Sequence, residues 1–244
     1  MTTDILHNTP STIASVTPPA KPRHDMYAPI HKALRHFMLD TLMRVSRLDV
    51  FDAAEMDATL GQFDALMTLC GKHLAHENEF VHTAIEARRP GVSRRIADEH
   101  VEHLESIDAL CEDAKQLRRA VPGQRMLLAL RLYRHLALFV GENFAHMHYE
   151  ETVHNAALWS LYSDAELDEL HDRLLASLPP EETLEVARWM VPALNPTERA
   201  GMLAGIQAKA PAPAFQALVQ HVRPHIDATG WTKLAPVIGM APAA

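Results

Sequence analysis

Between residues 27 and 49 the apolar side chains Ile30, Leu34, Met38, Leu42 and Val45 recur at spacings of four and three, which draws one buried stripe along a helix. His31 lies beside that stripe. Asp52 followed by Glu55 resembles a capping box and opens a second helix to about residue 88, with Phe63, Leu66, Leu69 or Cys70, His73, Glu77 and Phe80 near one face. Pro90-Gly91 ends it, and Ser93 can cap a third helix over 94–120 that carries Ala97, His100, His103, Leu104, Ile107 and Leu110. After Pro122-Gly123 a fourth helix, 124–158, presents Leu128, Leu132, Leu136, Phe139, Asn143, His146, Glu150 and Val153. Short turns cannot return a chain to the far end of a bundle, so consecutive helices pack antiparallel. The pattern predicts an all-α protein, an antiparallel up-and-down four-helix bundle with a C-terminal helical extension.

The flanks read differently. Residues 1–26, rich in Thr, Ser and Pro, form a loose arm before the bundle at 27–158; residues 159–244 make the extension. In the extension, Ser163 with Glu166 caps a helix over 164–178, Pro179-Pro180 breaks it, and EETLEVARWMVPAL is helical again. Asn195, Pro196 and Glu198 supply the cap, first-turn proline and box partner of a further helix. KAPAPAF is a break, FQALVQHV a short helix, and Gly230 a stop. Trp189, Met190 and Leu194 gather either as a docking surface or as packing against the bundle. With few convergent ionisable groups, the extension is expected to cover the bundle, to form a homodimer, or to receive a protein partner.

Composition narrows the function. Of 244 residues, 48% are hydrophobic and 22% charged, as in ordinary folded domains, and the formal net charge of -8 argues against a nucleic-acid backbone as partner. No run of eighteen apolar residues predicts a membrane span, so no membrane partner is expected and the cytoplasm is the default location. The two cysteines, Cys70 and Cys111, form no CxxC pair, which excludes a cysteine-based zinc or iron–sulfur site and leaves two buried thiols as the simplest expectation. Sixteen histidines are the unusual feature; eleven fall between His31 and His154, inside the expected bundle, and none forms a consecutive run.

Two segments repeat one arrangement, His73-Leu-Ala-His-Glu77 and His146-Met-His-Tyr-Glu150. A spacing of four sets both side chains on one helix face, one turn apart. Imidazole and carboxylate can then reach one metal ion or two adjacent ones. A solvated hydrogen-bonding face is the alternative. Phe80 and Val153, each three residues after its glutamate, continue the apolar stripe and so place both carboxylates inward, where they need a partner.

The order His31 in HKALR, then HLAHE, then His100 and His103 in DEHVEH, then HMHYE resembles the hemerythrin-like family of HHE cation-binding domains over residues 27–158. The resemblance implies a four-helix bundle holding a non-haem di-iron centre. It implies as ligands His31, His73, Glu77, His100, His103, His146 and Glu150, with helix three supplying one or both of its histidines. Two six-coordinate irons have twelve positions; two bridging glutamates and a shared oxygen ligand take six, so five histidines leave one position open and four leave two. Mixed imidazole and carboxylate ligands suit iron and admit manganese or zinc. The function implied is handling or sensing of dioxygen, nitric oxide, peroxide or iron. A di-iron oxidoreductase acting on peroxide or a small organic substrate is the second class, and a helical interaction protein without functional metal the third. His76 and His148 are expected to point sideways. His36, His82, His135, His154, His171, His221 and His225 are expected at the surface or at caps. Tyr133 and Tyr149 can donate to a bound oxygen species, and Glu142, one turn before His146, can orient its imidazole.

Overall fold

The structure, a computed structural model, describes residues 23–241. The expected arm therefore lies, but for its last four residues, outside the described residues. Those four are anchored: the Arg23 guanidinium donates to Asp164 and to the carbonyls of Trp159 and Tyr162, and Asp25 accepts from the backbone N–H groups of Tyr27 and Ala28. Asp25 thus satisfies donors that open α1, Ala28–Ser46.

The next helix begins as expected, with the Asp52 carboxylate accepting from Ala54 and Glu55 at the start of α2, Ala53–His76. Glu55 instead accepts from Asp49, so the box is only half made. α2 passes without a break into a π-helical turn, Glu77–His82, and then α3, Thr83–Arg88. The third rod is α4, Arg94–Arg119. Ser93 does not cap it; its hydroxyl and N–H both donate to Glu86, which also accepts from Gly91. The fourth rod is α5, Pro122–Tyr149, a second π turn, Glu150–His154, and α6, Asn155–Leu161. α1, α2, α4 and α5 pack as the bundle around Leu34, Phe37, Leu60, Phe63, Leu66, Leu117, Leu132 and Leu136, all fully buried.

The extension comprises α7, Asp164–Ser177, α8, Pro180–Ala193, α9, Pro196–Lys209, α10, Ala212–Val222, and α11, Ala228–Leu234. Complete capping boxes start α7 (Ser163, Glu166) and α9 (Asn195, Glu198). Gly230 is no stop; it lies inside α11, where its N–H satisfies the cap residue Asp227. α8 lies along α1, and its Trp189 ring stacks on Phe37 at 3.8 Å between centroids and 10° between planes. Trp189, Met190 and Leu194 belong to the bundle core, which settles them as packing. The other face of α8 joins a second core built on Leu203, Phe215, Val219, Val222, Trp231 and Leu234. α7 closes one end of the bundle, with Leu167 and Leu170 against Met26, Tyr27, Val81, Ile85 and Leu158. Among the described residues no helix is long and apolar enough to cross a membrane.

Candidate metal centre

One turn in from that plug, the four rods each turn ionisable side chains inward. α1 brings His31, α2 brings His73 and leads to Glu77, α4 brings His100, and α5 brings His146 and leads to Glu150. His31, Glu77, His100, His146 and Glu150 are all buried, and His73 nearly so. They form two groups whose ligand atoms lie within 4.8 Å of one another, His31, His73, Glu77 and Glu150 in one and Glu77, His100, His146 and Glu150 in the other.

The two glutamates belong to both groups and divide their oxygens between them. Glu77 directs Oε1 at Nε2 of His31 (3.6 Å) and His73 (3.2 Å), and Oε2 at Nε2 of His100 (3.5 Å). Glu150 directs Oε2 at Nε2 of His31 (3.4 Å), and Oε1 at Nε2 of His100 (3.7 Å) and His146 (3.4 Å). All four carboxylate oxygens, with Nε2 of His31 and His73, are buried without a hydrogen-bond partner of good geometry. Nε2 of His100 stands 3.1 Å from Nε2 of His146. Two ligand atoms each about 2.1 Å from one ion stand about 3 Å apart at a right angle and about 3.4 Å apart at the tetrahedral angle. The spacings here fall in and just beyond that range, so the donor set fits two ions bridged by two carboxylates.

The outer nitrogens of these rings are held. Nδ1 of His31 meets Glu151 at 3.1 Å, and Glu151 is itself paired with Arg35. Nδ1 of His146 meets Glu99 at 2.9 Å, and Glu99 is paired with Arg95. Nδ1 of His100 meets the Asn78 side-chain oxygen at 2.9 Å. A carboxylate only accepts, so in these pairs Nδ1 carries the proton and Nε2 faces the core. Glu142, expected to orient His146, is exposed; Glu99 on the neighbouring helix takes that place.

The buried carboxylates and imidazoles shift one another's protonation. Burial pushes His31 down, but the hydrogen bond to Glu151 and the facing Glu77 and Glu150 carboxylates outweigh it and raise it to about 9. Burial would raise Glu77, yet His73 and His31 hold it well below the usual carboxylate range. Glu150 is lowered too, against burial and the nearby Glu77 charge, by His100 and His146. Burial, the larger influence on Glu151, is overcome by His31 and Arg35, which bring it to about 2.

His103 falls in neither group. It is buried one turn further along α4, its ring 4.7 Å from that of His146 and its Nδ1 unpartnered, and burial beside His146 lowers it to about 4. His148 is exposed, and His76 faces Glu182 at the edge of α8, so both point away from the groups as expected. Tyr149 packs under the Arg95 guanidinium. His135 is exposed and paired with Asp113. His82 and His154 overturn the surface expectation: both are buried, and with Glu150 they form a third group of close ligand atoms. For His82, five residues after Glu77, the π turn explains the miss, since its wider turn carries the inward stripe there; His154, four residues after Glu150, lies inward by the same spacing as His146 and Glu150, while Phe80 is half-buried and Val153 exposed. Cys70 and Cys111 are free thiols; Cys70 is buried, and burial pushes it up to about 12.

No family model, curated protein or solved structure matches the chain.

Proposed function

We propose that the chain is a two-metal protein of the hemerythrin-like type, natively di-iron, that handles or senses dioxygen, nitric oxide, peroxide or iron. The observation that carries the reading is the division of the Glu77 and Glu150 oxygens between two imidazole pairs, with all four oxygens buried and unpartnered. In this reading His31 and His73 would hold one ion and His100 and His146 the other, with Glu77 and Glu150 offering oxygens to both. His103 stands beside His146 in reserve. Iron so held supplies redox-active Lewis-acid positions for a small oxygen or nitrogen ligand.

The chain's own residues set the conditions for that chemistry. Glu151 and Glu99 fix the tautomers of His31 and His146, and the guanidinium groups of Arg35 and Arg95 spread the charge of those carboxylates toward the surface. The Tyr27, Ile85, Leu158 and Leu167 plug excludes water from one end. The reading keeps the division into an arm at 1–26, a bundle at 27–158 and an extension at 159–244, with residues 23–26 as mooring, the bundle as site and the described part of the extension as cover. Metal analysis of protein expressed with abundant iron and purified without chelator is expected to find at least two iron atoms per chain. A reproducible value near zero overturns the reading.

A further inference from the structure

The two π turns share a plan that the two-ion reading leaves unused. Each starts on a bridging glutamate and ends on a buried histidine, Glu77 to His82 and Glu150 to His154. His82 is 5% exposed and His154 fully enclosed, and Nε2 of each has no hydrogen-bond partner. The His82 ring lies parallel to that of His100, 4.9 Å between centroids, and edge-on to His154 at 5.3 Å. The ligand atoms of His82, His154 and Glu150 lie within 4.8 Å of one another.

We infer that His82, His154 and Glu150 form a third cation position, adjoining the two-ion centre on the side of the plug, for a divalent transition ion such as Fe2+ or Zn2+. The inference rests on the two-ion reading in so far as Glu150 is shared. A carboxylate offers about four lone-pair directions, and two suffice for the bridge. Two imidazoles and one carboxylate are a donor set of borderline softness with positions left for water, which selects transition ions over calcium or magnesium. Tyr27 prepares the site: its hydroxyl lies 3.2 Å from Nδ1 of His154, and as acceptor of that N–H it leaves the Nε2 lone pair turned inward. Packing alone gives no reason for two histidines here. Val81, Ile85 and Leu158 in the same end of the bundle are apolar, and an unpaired imidazole nitrogen among them costs stability that a leucine does not.

The test is a Zn2+ titration of the chelator-stripped full chain, with bound metal counted after desalting, and the same with Fe2+ under anaerobic conditions. The wild type is expected to hold three ions and His82→Leu/His154→Leu two, leucine matching the apolar surroundings so that the bundle still folds. Tyr27→Phe, which removes one oxygen only, is expected to weaken the third ion about tenfold and leave the first two unchanged. Saturation of the wild type at two ions, or retention of three by the double variant, overturns the third position while the two-ion reading stands. An unchanged third affinity in Tyr27→Phe counts against it independently of how the double variant folds. A wild type that binds no metal defeats both readings together.

Discussion

At the scale of single residues, adjacent positions on one helix face opposite ways. Glu150 is fully buried at the end of α5 while His148, two residues earlier, is exposed. Replacing Glu150 with Ala removes an oxygen from each ligand group, whereas His148→Ala removes nothing that faces them. Metal content is expected to fall steeply in the first variant and to stay at the wild-type level in the second, with helical circular dichroism kept in both because the apolar stripe remains. Equal effects would mean that the inward face of α5 is not the one described. The outer ring of carboxylates makes a finer distinction. Glu99→Ala frees Nδ1 of His146 without touching a ligand atom, so it is expected to weaken metal binding by about 10–100-fold rather than abolish it. A titration separates these outcomes.

At the scale of elements, the turn between α3 and α4 is held by a side chain rather than by the expected cap. Glu86 accepts from the Ser93 hydroxyl and from the N–H groups of Gly91 and Ser93, and those three bonds, the hydroxyl foremost, lower it from 4.5 to about 2. Its folded pKa lies below its unfolded one, so its stabilisation is complete above about pH 4.5 and is lost as the pH falls through 2. Glu86→Gln is therefore expected to melt below wild type at pH 7, with the gap closing between pH 4.5 and 2; a gap independent of pH would point to lost packing instead. Ser93 misled because Ser before a helix most often caps it, and nothing local in the sequence announces a carboxylate seven residues back. The same limit shaped the site. The rods, their order and the inward pairs His73/Glu77 and His146/Glu150 were legible because 3.6-residue periodicity extends to them. His82 was not, because a π turn shifts the period without a sequence signal of its own; His154, four residues after Glu150, was open to the same spacing argument. Phe80 and Val153 supported the right conclusion about the glutamates for the wrong reason.

At the scale of the whole molecule, α8 couples the extension to the bundle through the Trp189–Phe37 stack on the outer side of α1. Trp189→Ala empties a buried contact of the bundle core and is expected to cost about 3 kcal/mol in chemical denaturation, with metal content per folded chain unchanged, since no ligand atom touches that ring. Metal supplies the complementary test. The bundle buries two carboxylates beside each other and among imidazoles, and ions bound to the folded state alone raise its stability by mass action. At one hundred times the dissociation constant a single site contributes about 2.7 kcal/mol, and a chain of this size gains about 2–4 °C in Tm per kcal/mol, so roughly 5–11 °C is expected for each occupied site. Glu150→Gln keeps the shape of the bridge but not its charge, and is expected to lose most of that rise. A metal-dependent rise of equal size in Glu150→Gln would place the ions elsewhere on the molecule, among the exposed histidines, and would separate stabilisation by metal from the buried centre altogether.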